Sequence, residues 1–162
     1  MGTALTFLGS DTDASIDSIN RIPQPGPGLP IVIHRLLEPV ICIVGWAIDR
    51  AAGTRASAVI AEFEDGNNFP AVCGFGRSDV VEAYAEPRYA ESGFLVAFPT
   101  ERLALGKHAM TLRVVGAGER GFYRPHIALI IEIVERPRDP YLQADAPLAV
   151  HPEHSSLPFR SV

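Results

Sequence analysis

Between residues 30 and 136 the chain is written in a period of two, and that alternation limits its fold more than any other feature. Met110, Leu112 and Val114 alternate with Thr111 and Arg113. Phe94, Val96 and Phe98 alternate with Leu95 and Ala97, and Ile41 to Asp49 is rich in β-branched residues. Successive side chains of a strand point to opposite faces, so this pattern marks strands with one face buried. Turn-forming residues separate the runs. Asp65-Gly-Asn-Asn68 lies between Ser57–Glu64 and Phe69–Phe75, and predicts a hairpin. Gly116-Ala-Gly-Glu-Arg-Gly121 separates Met110–Val115 from a last strand, Tyr123 to Glu135, whose run Ile127 to Ile131 is expected to be covered on both faces. One helical stretch stands out, with Ser78 as cap, Asp79 at the positive end of the helix and Glu86-Pro87 as the stop.

With Pro30–Ile33 added, the expectation is an all-β, immunoglobulin-like β-sandwich of seven or eight strands with one short helix. Extended arms flank it. Residues 1–29 are rich in Ser, Thr and Asp and end in Pro23-Gln-Pro-Gly-Pro-Gly28, which reads as an extended N-terminal lead-in. Residues 137–162 carry prolines at 137, 140, 147, 152 and 158 and no sustained period, which reads as a Pro-rich C-terminal arm. The 14 prolines and 14 glycines of the 162 residues disfavour a helical bundle.

Charge and apolar content exclude several classes. Hydrophobic residues make up 47% of the chain and charged residues 20%, enough to build a core. A net charge of −5 with no basic cluster argues against nucleic acid as a partner, since phosphate binding needs gathered cations. The longest uncharged apolar run, Pro39 to Ile48, is half of the about 20 residues a helix needs to cross a bilayer. The first ten residues lack the basic and apolar regions of a secretory signal. The protein is therefore expected in the cytoplasm or at the cytoplasmic face of a membrane complex, with the periplasm as the alternative. Cys42 and Cys73 read as two buried thiols, or as one cross-strand disulfide if the protein is exported.

Read in order, the chain contains Val44-Gly-Trp-Ala-Ile-Asp49, Glu64-Asp-Gly66, Gly76-Arg-Ser-Asp-Val80, Tyr84, Ser92-Gly-Phe94, Leu105-Gly-Lys-His108 and Leu112-Arg-Val-Val115. This series resembles a bacterial Ig-like β-sandwich module that recurs as an appendage of glycosyltransferases and envelope proteins. The resemblance spans about residues 31 to 134 and implies an accessory or interaction domain without chemistry of its own. Two departures stand out: Glu62-Phe-Glu-Asp-Gly66 is more acidic than the usual strand, and the module is nearly alone in this chain.

The landmark residues have physical readings of their own. Trp46 shares a face with Cys42, Val44 and Ile48, and is expected as the core aromatic of the sandwich. Gly45 permits close approach of the neighbouring sheet. Arg77 is expected to pair with a carboxylate such as Asp49, and Asp79 to cap backbone N–H groups, so that together they fix a corner. Gly93, Phe94 and Gly106 set turns and strand entries. His108 heads a face continued by Met110 and Leu112, the place of a hydrogen-bonded packing histidine.

Catalytic patterns are missing. There is no Gly-x-Ser-x-Gly elbow, Cys73 has no histidine near it in sequence, and Gly74-Phe-Gly76 is too short for a dinucleotide loop. His151-Pro-Glu-His154 has a chelating composition, but Pro152 blocks the helical spacing of a stable zinc site. No metal and no cofactor are expected. Tyr84, Tyr89, Phe122 and Tyr123 are candidates for an exposed aromatic surface, binding either carbohydrate or, with Arg88 and Arg124, protein. The leading expectation is a non-enzymatic accessory or structural subunit of a larger protein assembly, membrane-bound assemblies included. Its tails would lay Phe7, Leu8, Tyr141, Leu142, Leu157 and Phe159 into grooves on partners. The alternative is a carbohydrate-binding module accessory to a glycan-processing enzyme.

Overall fold

The computed structural model describes residues 4–9, 12–119 and 121–135, and these form two packed sheets. The first comprises β1 (Thr6–Gly9), β4 (Ile31–His34), β7 (Ala58–Phe63), β8 (Asn68–Pro70), β11 (Gly106–Val115), β12 (Gly121–Tyr123) and β13 (Leu129–Val134). The second comprises β2 (Asp13–Ile19), β3 (Ile22–Pro23), β5 (Val40–Asp49), β6 (Thr54–Arg55), β9 (Val72–Phe75) and β10 (Gly93–Pro99). A single short helix, α1 (Ser78–Tyr84), accompanies them among the described residues, along with three one-turn 3-10 segments. The all-β sandwich with one short helix is thus present.

The sheets are built as the alternation requires. In the six-stranded sheet the order is β3-β2-β5-β10-β9, with β5 antiparallel to both neighbours. The odd residues Ile41 and Ile43 of β5 and the even residues Phe94, Val96 and Phe98 of β10 turn inward. They meet Met110 and Leu112 of β11 and Ile131 and Ile133 of β13 from the seven-stranded sheet. Burying each of these side chains contributes about 1.5–3 kcal/mol, which makes this interface the main source of stability. An aromatic seam closes one end, where Phe69 of β8 stacks on Phe98 of β10 with ring centroids 3.8 Å apart.

Several boundaries differ from the sequence-based expectation. The segment expected as an extended lead-in supplies β1, β2 and β3, and Ile16 and Ile19 of β2 are buried in the core. Strand β2 is hard to see in sequence because its register against β5 shifts between Ile16 and Ser18, which breaks the period of two. The described residues hold thirteen strands instead of seven or eight, because the lead-in joins the sheets and short pieces such as β6, β8 and β12 add to them. The expected strand Phe69–Phe75 is divided: β8 pairs with β7 in one sheet, and β9 pairs with β10 in the other. The expected strand Tyr123 to Glu135 is likewise divided at Pro125, and β13 buries alternate residues only. The arm 137–162 lies outside the described residues.

Cys42 and Cys73 are both free thiols and half-buried. They sit on strands separated by β10, Cys42 opposite Ala97 and Cys73 opposite Phe94, so no bond joins them.

Candidate functional site

The outer face of the six-stranded sheet carries the even residues of β5: Val40, Cys42, Val44, Trp46 and Ile48. Its upper part is roofed. Helix α1 and the turn Pro87–Tyr89 bring Val80 and Tyr89 onto Ile48, and Trp46 packs against that group. Tyr84 closes on Trp46 with ring centroids 5.9 Å apart and on Tyr89 at 5.6 Å, both edge to face. Trp46 is therefore half-buried beneath the helix on the outer face, not in the core between the sheets. Either face of β5 has enough apolar residues to be the inner one, and the choice falls to Ile41 and Ile43, which meet the second sheet.

Tyr84 is tied down at its polar end, its hydroxyl donating to Asp13 Oδ2 at 2.6 Å. Burial, aided by that bond, pushes its phenol up to about 12. The folded-state value lies above the ordinary 10, so the contribution is complete below pH 10 and is lost as pH rises towards about 12. Melting temperature is accordingly expected to fall across that interval, and Tyr84→Phe to flatten the fall. An unchanged slope in the variant would show that Tyr84 does not carry it.

Below the roof a charged cluster marks the edge of the open surface. The Arg77 guanidinium forms a bidentate pair with Asp79, Nε to Oδ1 at 2.9 Å and Nη2 to Oδ2 at 2.6 Å. Its Nη1 reaches Asp17 Oδ2 at 2.6 Å. The Arg77 bond holds the Asp79 carboxyl down at about 2. Asp17 is the extra residue in the β2 bulge, which turns it to this face. Arg77 itself lies against the sheet because Gly93 has no side chain: a Cβ there would stand 3.2 Å from Arg77 Cγ and 2.8 Å from Phe75 Cβ. The pairing expected between Arg77 and Asp49 does not occur. Nor does Ser78 cap the helix. Arg77 occupies the cap position and Ser78 is the first helical residue.

From this cluster an apolar surface runs down the sheet. A cleft of about 350 Å³ is lined by Asp17, Val44, Phe75, Arg77, Gly93 and Leu95. A second, of about 440 Å³, is lined by Asn20, Arg21, Glu38, Val40, Cys42 and Val44, so Val44 belongs to both. Cross-strand pairing sets Val72, Leu95 and Val44 in one row. Val40 at 46%, Val44 at 40%, Val72 at 64% and Phe75 at 47% exposure leave this surface open to solvent.

The landmark residues divide into groups. Gly45, Gly93, Phe94 and Arg77 border the first cleft, with Asp79 and Trp46 beside it. Gly45 makes room for its neighbours within the same sheet: a Cβ would stand 2.8 Å from Phe94 Cζ and closer still to Ser15 O. Asp49 lies apart, at the far end of β5. It is buried, and its oxygens accept from Ala52 N at 3.1 Å, Ala117 N at 2.8 Å and the Tyr123 hydroxyl at 3.4 Å, joining β5 to the β11–β12 connection.

His108 lies on the other sheet, buried, with Nε2 2.8 Å from the Ala104 carbonyl, so that nitrogen carries the proton. Its Nδ1 is 3.5 Å from Asp65 Oδ2. The backbone N–H of Asn67, with a smaller contribution from His108, holds the Asp65 carboxyl below its usual range. Phe7 and Leu8 are exposed but belong to β1, which pairs with β12, and Phe7 packs on Phe122 at 5.5 Å. Tyr141, Leu142, Leu157 and Phe159 lie outside the described residues.

The expected aromatic surface is not assembled. Tyr89 and Tyr123 are buried, at 6% and 7% exposure, and Tyr84 belongs to the roof. Phe122 lies on the other sheet beneath two guanidinium groups, Arg113 at 4.9 Å and Arg124 at 5.2 Å from the ring centroid. Glu62 pairs with both of these arginines. No pattern in the sequence singles out Asp17, Arg21, Val72 or Phe75. A bulge hides the first, the second sits in a turn, and the last two lie on a strand whose change of sheet has no sequence signal. Among the described residues, no three His, Cys, Asp or Glu side chains gather as a metal site, and no helix is long and apolar enough to cross a membrane.

The fold and this face define a β-sandwich with an open, mainly aliphatic surface on one sheet. No protein-family model matches the chain, and no curated protein matches it. Among solved structures it is similar to the endo-beta-1,4-mannanase from Thermotoga petrophila, with a TM-score of 0.47 and 12% identity, over 78% of this chain and 20% of that one. The chain therefore spans about a fifth of that enzyme's length, and a likeness of this degree says nothing of its activity.

Proposed function

We propose that the protein is a non-enzymatic accessory subunit that docks onto protein through the outer face of its six-stranded sheet. The observation that carries this reading is the apolar run in which exposed Val40 and Val44 of β5 are joined through Cys42, and exposed Val72 of β9 is joined to Val44 through Leu95, with Phe75 lining the first cleft and polar groups at its border. Exposed apolar patches with a polar rim are where proteins meet other proteins. On the outer face of the opposite sheet Glu62 pairs with Arg113 and Arg124, and both guanidinium groups lie over the Phe122 ring. A structural role within a larger assembly agrees with the accessory modules that the landmark residues resemble.

The carbohydrate-binding alternative asks for flat aromatic platforms beside unspent hydrogen-bonding groups. Among the described residues Phe75 is the one exposed aromatic lining these clefts, and the polar groups of Arg77, Asn20 and Glu38 are engaged within the protein. Aliphatic walls suit protein side chains better than sugar rings.

The double variant Val44→Glu/Val72→Glu tests the docking reading. Both side chains are open to solvent, so unfolding free energy is expected to change by no more than about 0.5 kcal/mol per site. The tagged variant is expected to lose the protein that co-purifies with the wild type. Undiminished co-purification by a folded variant, or saccharide binding that both changes abolish, would count against the proposal.

A further inference from the structure

We propose that the lower cleft of this face is covered in cis by the chain's own segment beyond Glu135, with Tyr141 and Leu142 seated on Val40, Cys42 and Val44. A docking protein then competes with that segment. The inference rests on the docking reading above and adds the regulation of the same face. Residues 136–162 lie outside the described residues, and two observations carry the assignment: where the described chain ends, and the aliphatic chemistry of what lies beside that end.

The described chain ends near the mouth of the lower cleft. Strand β13 runs parallel to β4, with Val134 opposite His34 and Val134 O accepting from Arg35 N at 2.8 Å. From His34 the chain passes to β5 through one tight turn, in which Glu38 N donates to His34 O at 2.8 Å and Glu38 Oε2 accepts from His34 N at 2.9 Å. Glu38 lines the lower cleft, as do Val40, Cys42 and Val44 after it. A single turn of backbone therefore separates the end of β13 from the cleft. Leu36 and Leu37 stand on that turn at 61% and 65% exposure, so aliphatic side chains are displayed on the way from one to the other.

Tyr141 and Leu142 are the first large apolar residues after Val134 in the sequence. At about 3.1 Å per residue for an extended, proline-containing stretch, Tyr141 can stand about 19 Å from Glu135. That is enough to cross the turn and enter the cleft, whose stretch from Val40 to Val44 is about 13 Å long. A segment tethered this close has an effective concentration of about millimolar, so modest contacts keep it in place. Val72 and Phe75 of β9 lie outside this cover, but Val44 belongs to both clefts, so a protein entering across β9 meets the segment there.

Cys42 reports on the cover. It is a free, half-buried thiol lining the lower cleft, whereas Cys73, also free and half-buried, packs against the core and serves as the internal control. Iodoacetamide alkylation of the full chain, read by peptide mass mapping, compares the wild type with Tyr141→Asp/Leu142→Asp, each confirmed folded by circular dichroism. Cys42 is expected to react about fivefold faster in the variant, since a covered cleft reacts only in the fraction of chains in which it is open. Cys73 is expected to be unchanged. A benzoylphenylalanine in place of Tyr141 is expected to cross-link to the Val40–Val44 stretch within one monomer. Cys42 rates that agree within about twofold, or cross-links from position 141 that reach only another copy or another surface, would overturn the cover.

The docking reading fails separately. From a photoreactive residue at position 72, the yield of partner adduct is expected to rise in the Tyr141→Asp/Leu142→Asp chain. A fall in that yield would make the segment a partner-binding arm and overturn the competition. A partner adduct from position 72 beside an unshielded Cys42 retains docking and loses the cover. A shielded Cys42 with no protein adduct from position 72 in either chain retains the cover and loses docking.

Discussion

Gly45→Val is expected to lower stability by about 3 kcal/mol, which for a chain of this size is a fall in melting temperature of about 10 °C. The cause is local and steric. Gly45 faces Phe94 across the β5–β10 pairing, and the ring lies over the glycine Cα, so that even a bare Cβ would stand 2.8 Å from Cζ and closer to Ser15 O. Phe94 cannot give way cheaply, because it is 1% exposed and packed in the main core. The Ser15 carbonyl belongs to β2 next to its bulge, and moving it would disturb the pairing of β2 with β5. The accompanying change Phe94→Leu is expected to restore part of the loss and no more, since it frees the ring contact and leaves the backbone one. A Gly45→Val protein melting within about 3 °C of wild type would show that this close approach is not present.

Asp49→Ala is expected to cost about 3 kcal/mol in denaturant unfolding, although Asp49 makes no charge pair among the described residues. The carboxylate is 2% exposed and collects two backbone N–H groups, from Ala52 and Ala117, and the Tyr123 hydroxyl. Its removal leaves donors without this acceptor at a place where water replaces it poorly, and each such loss costs about 1–3 kcal/mol. Asp49→Asn is expected to be milder, because one amide oxygen still accepts while the NH2 group faces an N–H. Equal costs for Ala and Asn would mean that the two oxygens do not act separately. A cost under about 1 kcal/mol for Ala would mean that the β5 corner is held by something else. Both effects exceed the small change expected for Val44→Glu/Val72→Glu, and this contrast separates residues that build the sandwich from residues that it displays.

Strands β10 and β11 are legible in the sequence because their large apolar residues recur at every second position, and β5 because it is a long run rich in β-branched residues. Strand β2 is not, since Asp17 adds a residue at the bulge and moves Ile19 out of step with Ile16. The parallel pairings of β1 with β12 and of β4 with β13 join segments distant in the chain, and nothing local records them. The face of Trp46 was open for a related reason. Period two placed it with Cys42, Val44 and Ile48, but both faces of β5 are apolar, and only the position of the second sheet makes Ile41 and Ile43 the inner ones. The candidate site was partly legible. Gly45, Gly93, Phe94, Arg77 and Asp79 stand among the landmark residues of the sequence, and they converge around one cleft. Their partners Asp17, Val72 and Phe75 depend on the bulge and on the change of sheet at Ala71, neither of which a sequence pattern announces.

Site-specific photo-cross-linking in the producing cell tests the docking claim most directly. A photoreactive residue at Val72, on the open face, is compared with one at Thr111, which is exposed on the outer face of the opposite sheet. Position 72 is expected to give a discrete protein adduct, a second copy or another chain according to its mass, and position 111 none. Equal labelling from the two positions, or an adduct from Thr111 alone, would contradict the assignment of the six-stranded sheet as the binding face.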